Sequence, residues 1–396
     1  MFEAVTIRPQ YRYSQDPIDI GFLFECLLFY RRVYVQGNHI VLEQLVKYFG
    51  PELLMELMSS GTMEILYEED HLAIHSSTDQ SGFAIHNPVT FSAPHRALPE
   101  QLRSTLINYY DRAGKGRRAA IRMQPFIKTV RYDATLLDGV KASFRDKDFV
   151  EQAVRSLLFR WVPEVPPTHR FRFSCEETEK GFVVSTDLDF AVLNEFFHRR
   201  ISKDRTVLTP AHLLSTLSDA ESHAFVSARQ LSEIATDEVG SDLLKLRLYH
   251  LFNRTQKSER ARNDFSEVIF GEARSLREAI NAGTIPMPDL IRLIKKADKF
   301  KSWLEKQSMD RDLMREYYKE VARETFLDRL PPKSMRFGIF TGAGFAVDAL
   351  FPTGLATTAA LGLGLFDSFL LDKFTRGWRP NQFIEGELQP VFKKNP

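Results

Sequence analysis

Two histidines four residues apart, His71 and His75, have the spacing of a helical metal pair. They sit in an alternation of apolar and polar side chains that reads as strand, and no HExxH arrangement accompanies them. Asp187 and Asp189 are potential cation ligands, but Thr186-Asp187-Leu188-Asp189 has the form of a helix cap and the neighbouring sequence supplies no further ligands. Gly114-Lys115 fails as a phosphate loop, because the spacing would need glycine at Tyr109 and a hydroxyl residue at Gly116. No GxSxG elbow and no dinucleotide fingerprint occurs. The expectation is a protein without catalytic residues, metal or cofactor, although catalytic groups can also converge from distant segments without a local motif.

The chemistry that remains is electrostatic and apolar. Between Arg112 and Arg131 lie seven cations (Arg112, Lys115, Arg117, Arg118, Arg122, Lys128 and Arg131) and no acid, with Tyr109, Tyr110, Phe126 and Tyr132 around them. Such a cluster can hold anionic lipid headgroups or a nucleic-acid backbone; the bland reading is a solvated helix face. Arg112, Lys115, Arg117, Arg118 and Arg122 are the anion-binding candidates.

A second feature is louder. From Phe337 to Leu371 the only ionisable side chains are Asp348 and Asp367, in a chain otherwise charged every few residues. Phe351-Pro352-Thr353-Gly354 breaks this run, since proline removes a donor and glycine tolerates a turn. Two apolar helical arms are therefore expected to form a hairpin. Gly338, Gly342 and Ala346 recur at four-residue intervals in the first arm, and Ala356, Ala360, Gly364 and Ser368 in the second, giving small-residue stripes through which two arms, or several copies in a homo-oligomer, can approach closely. Lys333 and Arg336 precede the hairpin, and Lys373, Arg376, Trp378 and Arg379 follow it, as expected when both ends stay on the cytoplasmic side. Each arm is about 15 to 17 residues, or roughly 23 to 25 Å, against about 30 Å of hydrocarbon. Short arms and two carboxylates also suit a glycine-packed hairpin buried inside a soluble helical domain.

Composition bounds the setting. A chain of 396 residues with 43% apolar and 27% charged residues is globular material, and its net charge of +1 leaves local patches to carry any electrostatic argument. Cys26 and Cys175 are the only cysteines, which suits a reducing cytosol, and the amino-terminal sequence lacks a signal-peptide pattern.

The elements follow from periodicity. Residues 1–133 read as a mixed α+β domain carrying the basic segment. Its expected helices start at Asp16-Pro17, run over Ile40–Phe49 and Pro51–Met58, and run from Pro99 to Tyr110; strands are expected at Arg32–Gln36 and, as short antiparallel strands, at Thr62–Tyr67, His71–Ser76 and Gly82–Ile85. Residues 134–205 form a second α+β segment, with a hairpin over His169–Cys175 and Gly181–Ser185. Residues 206–330 read as a helical bundle whose segments include Pro210–Ile234 and Met287–Gln307, the latter with an apolar stripe of Leu290, Ile294, Ala297, Phe300 and Leu304 and lysines elsewhere. Residues 331–379 are the hairpin and 380–396 a tail that docks back.

The fold class expected is thus α+β, with a mixed amino-terminal half and an all-helical carboxy-terminal half bearing a glycine-rich hydrophobic hairpin. The function expected is membrane association at the cytoplasmic face, with the amino-terminal half sensing or binding a protein partner. In layout alone the hairpin resembles that of pore-forming colicins; the resemblance covers only the hairpin and implies a membrane-disrupting, toxin-like or antiviral-defence effector. The alternative is a soluble nucleic-acid- or protein-binding module with the hairpin as core.

Overall fold

The computed structural model describes residues 2–9, 17–80, 82–92, 97–164, 171–199, 206–235, 238–247, 260–266, 276–283, 285–307, 313, 317 and 380–393. The expected hairpin and its flanks lie outside the described residues, as does Asp16; the helix expected to start at Asp16-Pro17 begins instead at Ile20, with Pro17 and Ile18 before it and Asp19 as its cap.

A five-stranded parallel sheet organises the first half. Strands β1 (Ala4–Ile7), β2 (Arg32–Gly37), β3 (Met63–Glu68), β6 (Ile127–Val130) and β9 (Glu233–Ala235) lie in the order β6-β3-β2-β1-β9. Helix α1 (Ile20–Phe29) joins β1 to β2, and α2 (His39–Ser59) joins β2 to β3. Asp19 caps α1 by accepting from Phe22 N at 2.9 Å, and Asn38 caps α2 by accepting from Ile40 N at 2.9 Å. Within α2 the expected break at Gly50-Pro51 is present: Gly50 has φ 70°, and a Cβ there would lie 3.1 Å from the Tyr109 hydroxyl.

Both faces of this sheet are covered, as parallel sheets require. Val5, Ile7, Val33, Val35, Met63, Ile65, Tyr67 and Ile127 face one apolar core. Ala4, Tyr34 and Leu66 face a smaller cluster with Val226 on the opposite side. β3 was expected in an antiparallel set; instead it pairs parallel with β2 and β6, because α2 carries the chain back across the sheet before β3 begins.

The antiparallel ribbon is made by β4 (Asp70–Thr78) and β5 (Ala84–Ser92), which join β8 (Gly181–Thr186) and β7 (Phe173–Thr178) in a sheet ordered β4-β5-β8-β7. Helices α5 (Ala134–Arg145), α6 (Lys147–Trp161), α7 (Phe190–Phe197) and α8 (Pro210–Arg229) pack with it around Phe144, Leu157, Phe173, Phe182, Phe197 and Leu214. The cap of α7 is Asp189, accepting from Ala191 N and Val192 N, whereas Thr186 ends β8 and Asp187 accepts from Arg172 N. The expected helix over Pro210–Ile234 stops at Arg229; Leu231 takes φ 50°, and Glu233–Ala235 becomes the edge strand beside β1. A strand therefore interrupts the stretch beyond Thr209 that was expected to be helical throughout.

Helices α9 (Glu238–Arg247), α10 (Leu276–Asn281), α11 (Met287–Lys296) and α12 (Asp298–Glu305), with α13 (Pro380–Phe383), a π-helical turn at Ile384–Leu388 and α14 (Gln389–Lys393), complete the described fold. The expected stripe of Leu290, Ile294, Ala297, Phe300 and Leu304 is buried against α1, so α11 and α12 are core elements.

Candidate membrane-facing sites

Described residues from before and after the long uncharged segment meet in one aromatic cluster. Phe300 of α12 packs on Phe265 (5.8 Å between ring centroids), Trp303 (5.8 Å) and Phe29 of α1 (6.1 Å). Tyr317, the last described residue before the segment, meets Phe265 edge-on at 5.3 Å and Trp303 at 6.2 Å. Phe383, just after it, stacks on Phe300 at 5.2 Å. Lys296 bonds Glu387 at 2.6 Å and ties the returning turn to α11. The expected docking of the tail is thereby observed through Phe383, Ile384 and Leu388, all buried. Lys301, on the same helix as Phe300, is 4% exposed, and its burial pulls the ammonium down to about 8.

A buried ion pair fastens the same region to α1. Arg262 Nε donates to Glu25 Oε1 at 3.0 Å, Arg277 Nη2 reaches Glu25 Oε2 at 3.4 Å, and both guanidinium groups stack on the Phe22 ring. Cys26 lies beneath this pair, where burial pushes its thiol up to about 12; burial does the same to Cys175.

The five anion-binding candidates gather on one helix. α4 (Ala113–Met123) packs on α3 (Leu98–Tyr110) through Gly116, where a Cβ would come within 2.6 Å of Ile107 backbone, and through Ala119, Ala120 and Met123. This leaves Lys115, Arg117, Arg118 and Arg122 exposed, with Arg112 at the N-cap and Ile121 72% exposed between the arginines. Lys115 Nζ lies 4.0 Å over the Tyr110 ring, whose hydroxyl donates to Glu52 at 2.5 Å. That bond draws the Glu52 carboxyl below its usual range, while burial and Glu52 push the Tyr110 hydroxyl up to about 12. Lys128 and Arg131 part from the group: they pair with Glu64 (2.7 Å) and Glu69 (3.9 Å).

No family model, curated protein or solved structure matches this chain. His71 and His75 are strand positions on β4, with His71 against Phe91 at 5.6 Å. Among the described residues no group of three or more His, Cys, Asp or Glu is placed to hold a metal ion, and no helix is long and apolar enough to cross a membrane.

One constellation has no counterpart in the sequence reading. At the carboxyl ends of β2 and β3, Gln36 Nε2 donates to Glu68 Oε1 at 2.7 Å, and Tyr132 OH donates to the same oxygen at 2.6 Å while bonding Ser222 Oγ at 2.8 Å. Beside it His223 Nε2 bonds the Thr6 carbonyl at 3.4 Å, and Arg8 donates to Asp219. Burial, with Arg8 adding to it, holds the His223 imidazole down at about 3, so the ring is neutral. Burial and Glu68 push the Tyr132 hydroxyl well above its ordinary range, keeping it a donor. The network fixes α8 to the sheet through polar contacts. These residues come from separate segments with no common spacing; the one local hint is the polar ending of each strand.

Proposed function

We propose that the protein associates with membranes through residues 337–371 and acts there as a membrane-perturbing effector, the folded body serving to sense or bind a partner. The observation that carries this reading is the shared root: Tyr317 and Phe383 bracket the uncharged segment and both belong to the cluster around Phe265 and Phe300. If the intervening residues form the expected hairpin, both of its ends would start from this one cluster. That is the topology a two-armed insertion from the cytoplasmic face demands. Gly342 and Gly364 would then let the arms approach, and Asp348 and Asp367 would either line a polar path or take up protons on insertion.

The competing reading is a soluble nucleic-acid- or protein-binding module, and the exposed cations of α4 are what favour it. Flotation with vesicles separates the two. The full chain is expected to float and to resist alkaline carbonate extraction, and Leu365→Arg to lose that resistance. Full extraction of the wild type, together with a salt-dependent shift of labelled RNA or DNA, would establish the binding module instead.

A further inference from the structure

We propose that the outer face of α4 is the docking surface that first holds this protein on anionic lipid headgroups, a step that rests on the membrane reading above and precedes insertion. Arg117, Arg118 and Arg122 surround Ile121 on the solvent side, and none of the three makes an ion pair with a described residue. Arg117 and Arg118 are therefore available to an external anion, while the Arg122 charge is shared with Glu52, whose carboxyl it helps hold down. The opposite side of the helix is committed to α3 through Gly116, Ala119, Ala120 and Met123, so only one face can meet a partner.

The pattern suits lipid over nucleic acid. Binding single-stranded nucleic acid draws on aromatic faces beside the cations. Here the Tyr110 ring is already covered by Lys115 and its hydroxyl engaged by Glu52, while Tyr109 and Phe126, 46% and 39% exposed, lie outside residues 117–122 in sequence, so RNA or DNA binding is an outcome the test below reads. The group presented amid the arginines is aliphatic: Ile121, 72% exposed, has no face on which a base can stack, but fits the boundary between headgroups and acyl chains. Arginines one turn before it and one residue after it can spread their stems over that boundary and leave their charge among phosphates. Pairing of Lys128 and Arg131 with Glu64 and Glu69 confines the free positive charge to the helix.

The test uses the full chain and separates docking from insertion. Binding is measured at low and high salt to vesicles of phosphatidylcholine alone and of phosphatidylcholine with phosphatidylserine, for the wild type, Arg117→Ala/Arg118→Ala/Arg122→Ala, Ile121→Ser and Leu365→Arg. At about tenfold or less per surface cation, the triple variant is expected to lose roughly 100-fold in affinity for the serine-containing vesicles at low salt. Leu365→Arg should keep this salt-sensitive binding and lose only carbonate resistance. Circular dichroism of the triple variant should match the wild type, since its three side chains are exposed. Docking by α4 is overturned if the triple variant binds as the wild type does, if neutral vesicles bind equally well, or if the variant's only loss is in RNA or DNA binding. Loss of carbonate resistance by the wild type itself, with salt-sensitive binding intact, would instead sink the insertion reading and leave the α4 surface standing.

Discussion

Phe383 stacks on Phe300 with ring centroids 5.2 Å apart and planes 25° from parallel, within the cluster that Tyr317 joins through Phe265. The contact joins the carboxy-terminal turn to α1, since Phe300 also meets Phe29. Burial of large rings is a major source of apolar stabilisation in a core of this kind.

Removing the stacked ring should loosen the return. Phe383→Ala is expected to cost about 3 to 5 kcal/mol, read as a lower urea midpoint, with faster hydrogen exchange in residues 380–393. Unchanged exchange there would mean that the turn is held by Ile384 and Leu388 without it.

The Glu25–Arg262 pair is buried on both sides, at 7% and 3% side-chain exposure. Arg262→Met alone should cost about 3 to 5 kcal/mol, because Glu25 is left with only the longer contact to Arg277. Glu25→Leu combined with Arg262→Met should recover most of that loss, which denaturant titration of the single and double variants will measure.

Lys301 gives the opposite sign. Its ammonium is held near 8 against an ordinary 10.5, so at pH 7 the folded state bears the cost of burying a charge that the unfolded chain exposes. Lys301→Met is expected to raise stability at pH 7 by about 2 to 3 kcal/mol, a gain that shrinks above pH 8 as the wild-type group loses its proton on folding.

His223 predicts an acid dependence. Its folded value near 3 lies below the unfolded 6.5, so the unfolded chain binds the extra proton between these values. The contribution is complete above pH 6.5 and falls by about 1.4 kcal/mol per pH unit below it, down to about pH 3. His223→Gln, which keeps a donor for the Thr6 carbonyl, should flatten that slope when urea midpoints at pH 5 and pH 7 are compared with the wild type. An equal slope in both proteins would assign the acid sensitivity to other groups.

Local chemistry was the legible part of this fold. The Gly50-Pro51 break, the helix ending at Tyr110 and the strand after Tyr30 follow from residues adjacent in sequence, and each stands where the pattern puts it. Long-range pairing was not. The alternation in Met63–Glu68 is the same for either strand direction, so only the crossover through α2 decides that β3 is parallel. Glu233–Ala235 is too short to stand out from the helical pattern before it, and becomes a strand because β1 offers an edge. Among the site residues, the exposed face of α4 followed from its composition, whereas the acids that neutralise Lys128 and Arg131 come from β3 and the residue after it. The Gln36–Glu68–Tyr132–Ser222 network was invisible for the same reason, being assembled from four separate parts of the chain.

The depth reached by the proline-glycine tip is the most direct measurement of the central proposal. Cys26 and Cys175 are buried with thiols raised to about 12, so a cysteine introduced as Thr353→Cys can be labelled selectively with an environment-sensitive dye. On addition of serine-containing vesicles to the full chain, the dye emission should shift to the blue and be quenched by lipids carrying a nitroxide deep in the acyl chain. Emission that does not change with vesicles, and a dye that deep nitroxides leave unquenched, would place the tip outside the bilayer and contradict membrane insertion.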